Sequence, residues 1–105
     1  MSLTIQQAAD QTRISLSGDM TMHEIEEISE QVKQEWPDVV DVLFDLSEVE
    51  DVDIAGVQWM LALKKKILSQ QGSLTLTGDC DEWSEVIGIL QMDSFFNVPD
   101  KLGTE

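Results

Sequence analysis

Apolar and polar positions alternate along the first stretch of the chain, where "LTIQQAA" and "TRISLSG" are two short β-compatible segments parted by Asp10 and Gln11. Successive side chains of a strand point to opposite faces, so this alternation predicts a hairpin of residues 3–8 and 12–17 with its first strand at a sheet edge. The rhythm then lengthens. Met22, Ile25, Ile28, Val32 and Trp36 recur three or four positions apart, with Glu26, Glu27, Glu30 and Lys33 outside the stripe, which is the spacing of a helix with one apolar face. Thr21 and Glu24 ahead of the stripe have the spacing of a capping box, and Pro37 closes the helix.

The segment "VVDVLFDL", residues 39–46, is short and mostly apolar, as expected of a central strand covered on both faces. "SEVEDVD" follows as a loop. Helical spacing returns over residues 55–70, with Lys64, Lys65 and Lys66 near the negative end of the helix dipole and Gly72 as the stop. "SLTLTG" alternates as a strand. Trp83, Val86, Ile87 and Leu90 mark a third helix, after which "DSFFNVPD" reads as a turn that tucks two phenylalanines against the sheet. The predicted order is β-β-α-β-α-β-α in one α/β domain spanning residues 1–105, a mixed sheet with helices on one or both faces.

Charge narrows the function. The chain has 21 acidic residues against six basic ones, a net charge of −15, and that field repels phosphate backbones, so nucleic acid is not an expected partner. Cys80 is the single cysteine and permits no internal disulfide; its neighbours Asp79 and Asp81 disfavour a thiolate, making it a poor nucleophile. The start "MSLTIQQAAD" lacks the pattern of a secretory leader, and no apolar run approaches the ~20 residues of a membrane span, so a cytoplasmic protein without direct membrane insertion is expected. His23 is the only histidine, which excludes a histidine pair. No phosphate loop, nucleophile elbow or paired catalytic acid is present, so neither enzymatic activity nor a cofactor is expected.

Two features remain. Asp45, Glu48, Glu50, Asp51 and Asp53 crowd one acidic stretch, but "DLSEVEDVDIAG" does not follow the ligand order of a calcium loop. A metal- or nucleotide-binding domain using this loop is the alternative reading from a different functional class. Asp53 has a simpler role as the cap of the helix that follows. On that helix Val57, Met60, Leu61, Ile67 and Leu68 form the apolar sector expected to pack on the core. The opposite arc, Ile54, Ala55, Gln58, Trp59 and Ala62, is small or apolar where a solvated face carries charge, which favours a partner surface. Trp59 on this arc is either an interface anchor or a residue tucked partly into the core.

The run "FDLSEVEDVDIAGVQWMLALKKKILSQQGSLTLTG" resembles the STAS domain, the module shared by anti-sigma factor antagonists and the cytoplasmic tails of sulfate transporters. Asp45-Leu46-Ser47, Asp53, Gly56, Val57, the helix length and Gly72 carry the match, and the flanking hairpin and final helix fit it more loosely. The resemblance implies the STAS-like fold and a non-enzymatic module that binds other proteins. It also implies a switch, phosphorylation of the serine or threonine directly after the aspartate. Here that position is Ile54, followed by Ala55, so no hydroxyl is offered. The expected partner surface is Asp53, Ile54, Ala55, Gly56, Gln58, Trp59 and Ala62. An anti-sigma kinase is the first partner class. The "AGVQ" run also resembles chemotaxis-operon STAS proteins, and the STAS subunit of the lipid-asymmetry ABC transporter is a further relative, so a chemotaxis kinase or a transporter ATPase is equally admitted. Self-association through the hairpin edge stays open.

Overall fold

The computed structural model describes residues 2–96 of the chain. Strands β1 (Ser2–Gln7), β2 (Thr12–Met20), β3 (Asp41–Val52) and β4 (Ser73–Thr77) form one sheet in the order β1-β2-β3-β4. β1 and β2 are an antiparallel hairpin at the edge, while β2, β3 and β4 run parallel. Parallel neighbours need a crossover, and α1 (Met22–Gln34) and α2 (Ile54–Ser69) supply the two. Helix α3 (Asp81–Ile89) and a short 3-10 turn, Asp93–Phe95, follow β4.

Register puts Ile5, Ile14, Phe44 and Leu76 in one row across the sheet, with Thr12, Val42 and Leu74 in the next. On this face Ile28 and Val32 of α1, Val57, Met60, Leu63 and Ile67 of α2, and Trp83 and Ile87 of α3 close the core. The opposite face is polar. There Arg13 donates to Asp45 at 2.7 Å, and Ser73 donates to Asp41 at 3.0 Å. The expectation that β3 is covered on both faces is therefore corrected: Asp41 is exposed and Leu43 and Asp45 are half-buried on the open side.

The "SEVEDVD" segment is also not a loop. β3 continues through it to Val52, paired with the far end of β2, and the register slips between Ser15 and Ser17 and again between Gly18 and Met20. Each bulge adds a residue on β3, so Leu46, Val49 and Val52 all turn inward at intervals of three. Strict alternation has no such interval, which is why the stretch looked irregular.

Helix boundaries bring further corrections. Met22 lies 64% exposed and leaves the α1 stripe, and the Thr21 hydroxyl makes no capping bond. In α2, Leu68, expected in the core-facing sector, is exposed and Leu61 is half-buried, while Leu63, outside the expected sector, is buried. The left-handed residue that closes α2 is Gln71, at φ 63°, with Gly72 N–H returning to the Ile67 carbonyl at 2.9 Å. Only one of the two phenylalanines is tucked in: Phe96 packs edge-on against Trp83, centroids 5.1 Å apart, while Phe95 is exposed. The "NVPD" end of that predicted turn lies outside the described residues.

Candidate functional site

The start of α2 is built around one carboxylate. Asp53 has extended backbone and sits at the N-cap, where Oδ1 accepts from the Gly56 N–H at 3.1 Å. Its second oxygen reaches across the fold, since Oδ2 accepts from the Met22 N–H at 2.9 Å. One side chain thus satisfies an orphan donor at the first turn of α2 and another at the first turn of α1. The Thr21–Glu24 capping box is not made: the Glu24 N–H donates to the Thr21 carbonyl at 2.9 Å, and the side-chain cap at the start of α1 comes instead from Asp53, on a different donor, the Met22 N–H. Sequence spacing carries no signal for that bond, because its partners lie 31 positions apart.

Gly56 anchors the same corner. A Cβ there would stand 2.2 Å from the Met20 carbonyl oxygen, so α2 can approach the end of β2 this closely only with glycine at that position. The Asp53 N–H donates to the same Met20 carbonyl. Gly56 is consequently buried beneath the surface it was expected to share, and its contribution is to set the height of the helix.

What the corner presents outward is apolar. Ile54, the first residue of α2, is 53% exposed, and Met22 adjoins the other side of the Asp53 carboxylate. Along the arc Gln58 and Ala62 are exposed and Ala55 is half-buried. Trp59 is half-buried, its ring edge-on to Phe44 with centroids 6.0 Å apart and planes at 69°, so it is tied to the core while still forming part of the arc. Met22 was missed by sequence reasoning, which assigned it to the buried stripe.

The acids of β3 do other work. Burial pushes the Asp45 carboxyl up, but hydrogen bonds from the Ser47 backbone and hydroxyl and from Arg13, with the Arg13 charge, outweigh it and hold it below the usual aspartate value. Asp51 accepts from the Val52 N–H at 3.0 Å, and Asp53 is the double cap. Among the described residues no three His, Cys, Asp or Glu side chains come together as a metal site. Cys80 is buried with its thiol directed at the Val49 carbonyl, and burial, then the nearby Glu82 and Asp81 charges, pushes its pKa up. His23 is exposed on α1. Among the described residues no helix is long and apolar enough to cross a membrane.

A one-sided mixed sheet with an N-terminal hairpin and two crossover helices defines a small α/β module with an apolar corner at the capped start of α2. The chain belongs to the STAS family: the family model described as "Mlab, STAS domain" matches residues 3–98. Solved structures share the fold. An anti-sigma factor antagonist from Mycobacterium paratuberculosis aligns with a TM-score of 0.79 at 17% identity, covering 98% of this chain and 92% of its own. SpoIIAA, an anti-sigma factor antagonist, aligns in its unphosphorylated form with a TM-score of 0.73 at 14% identity over 90% of this chain and 85% of its own. The phosphorylated form, from Bacillus, gives 0.69 at 14% over 90% and 88%. No curated protein sequence matches the chain significantly.

Proposed function

We propose that this protein is a non-enzymatic STAS adaptor, cytoplasmic, that binds a protein partner through the corner of Asp53, Ile54, Ala55, Gln58, Trp59 and Ala62, with Met22 added at its edge. The observation that carries the reading is Ile54, a half-exposed isoleucine at the first turn of a helix whose cap is already satisfied. About half of this apolar side chain is left in solvent at the helix start, and a partner that covers that half gains its burial, about 1 kcal/mol, half of what a fully buried aliphatic side chain is worth.

SpoIIAA exists in phosphorylated and unphosphorylated forms. At the position where the family resemblance puts the phosphate acceptor, this chain offers no hydroxyl, so the partner contact is not switched there. A phosphate at that place would add charge and bulk to an apolar patch. Ile54 makes the contact constitutive instead. The partner class is an anti-sigma kinase, a transporter ATPase or a chemotaxis kinase.

The test is calorimetric titration of the chain with each of these three proteins from its own genome. Ile54→Asp should abolish the binding seen with one of them, because a carboxylate buried in an apolar contact without a cation is costly. Its circular dichroism should match wild type. Wild-type affinity in a folded Ile54→Asp variant, or no binding by any of the three, overturns the proposal.

A further inference from the structure

An open groove of about 140 Å³ runs between α1 and α2, walled by Val32, Trp36, Trp59 and Ala62 and flanked by Lys33 and Lys66. The Trp36 wall is fixed on both sides: its Nε1–H donates to Gln70 Oε1 at 3.1 Å, and the Lys66 ammonium lies 4.5 Å from its ring centroid. The charge pattern here inverts that of the molecule. In a chain with 21 acidic and six basic residues, two of the six bases stand at this one groove. Among the described residues neither lysine has a carboxylate within ion-pair distance, although acids abound on α1 itself.

We propose that the groove receives an apolar anchor side chain from an acidic segment of the partner protein. Size selects the anchor. Pockets that bury a free drug-sized ligand run to roughly 300–1,000 Å³, so a groove of about 140 Å³ is matched by one aliphatic or aromatic side chain. Charge selects the flanks. Carboxylates on either side of the anchor meet Lys33 and Lys66, whereas a basic segment would set like charges against them. The net charge of −15 opposes the approach of an acidic segment to the protein as a whole, so the two lysines of the groove steer such a segment there.

The proposal rests on the outer arc of α2 being the partner surface, since Trp59 and Ala62 belong to both, but Ile54 does not line the groove, and that separates the two tests. The probes are two blocked hexapeptides, Asp-Glu-Leu-Phe-Glu-Asp and Lys-Lys-Leu-Phe-Lys-Lys, titrated into nitrogen-15-labelled full chain. The chain has three tryptophans, and their indole N–H signals report separately. The acidic peptide should shift the Trp36 and Trp59 signals and leave Trp83, which is buried on the inner face of α3 against Phe96, unmoved. Lys33→Glu with Lys66→Glu should weaken binding about tenfold or more, and Ile54→Asp should bind the peptide as wild type does. Lys33→Gln with Lys66→Gln, which removes charge without reversing it, serves if the first pair fails to fold. No shift up to roughly 5 mM acidic peptide, or equal binding of the basic peptide, overturns the proposal. Loss of peptide binding in Ile54→Asp alongside wild-type affinity in the lysine variants overturns the groove and leaves the reading of the α2 corner standing.

Discussion

The two ends of α2 are seated by the same device and offer opposite chemistry. At the first turn Gly56 lies against the Met20 carbonyl of β2, and just beyond the last turn Gly72 lies against the Val40 carbonyl ahead of β3; a Cβ on either would meet oxygen at 2.2 Å. The helix is thus pinned at both ends where backbone touches backbone. The outward groups differ. The N-terminal end has a carboxylate cap and an exposed isoleucine, while the C-terminal end has Lys64, Lys65 and Lys66 and is closed by backbone bonds from Gln71 and Gly72, with the Ser69 hydroxyl donating to the Lys66 carbonyl at 2.6 Å. The lesson is that seating and presentation are separable: a helix can be held identically at both ends and still be dressed for different contacts.

The sharpest way to break this comparison is to add a methyl group at each pin. Gly56→Ala and Gly72→Ala should each destabilise the fold by about 2–3 kcal/mol, since the neighbour that must yield is a carbonyl and not the tip of a side chain. Urea denaturation measures both; if one is tolerated within error, the two ends are not equivalently seated. Next in size is Asp53→Ala, which removes a cap shared by two helices and should cost about 1–2 kcal/mol. The Lys66 side chain takes no part in closing the C-terminal end, so Lys66→Ala should cost only about 0.5 kcal/mol, through its contact with Trp36.

A carboxylate away from both ends calibrates them. The folded-state pKa of Asp45 is depressed, so its contribution is fully present above the ordinary aspartate value of 3.8 and is lost as pH falls through the lower folded value. Asp45→Asn should therefore flatten the acid limb of stability against pH, and because Arg13 is well exposed the total should stay below about 1 kcal/mol at neutral pH. Smallest is Ile54→Ala, with a change within about 0.5 kcal/mol, because the side chain it trims is half in solvent. A large fall in melting temperature for Ile54→Ala would move that residue from presentation to seating.

Much of this architecture was legible from residues. The period of Ile25, Ile28 and Val32 gave α1, the alternation of "SLTLT" gave β4, and Asp53 ahead of an apolar run gave the start of α2. The end of β3 was not legible, because bulges replace alternation with the three-residue interval of Leu46, Val49 and Val52, and acids fill the gaps. The fate of Met22 was hidden for another reason. Its place in the helical period is sound, but α1 begins at the rim of the fold, beyond the reach of the core. Leu68 was misplaced because the apolar sector of α2 was drawn too far round the wheel: the buried residues Val57, Met60, Leu63 and Ile67 recur three or four positions apart, and Leu68 lies outside that stripe. At the site, Ile54 was legible as an anomaly of residue type at a helix entrance. The groove between α1 and α2 was not, since Lys33, Trp36, Trp59 and Lys66 meet only when two helices far apart in the chain are laid side by side.

The double cap made by Asp53 has a consequence for how the corner opens. A helix end ordinarily frays by itself, each amide exchanging with solvent as its own last turn unwinds. Here the Met22 and Gly56 amides hang from the two oxygens of one carboxylate, so neither can be released by rotating that side chain without freeing the other. Two segments 31 positions apart in the chain are thereby made one opening unit, and their amide hydrogens should share one protection factor that Asp53→Ala splits into two.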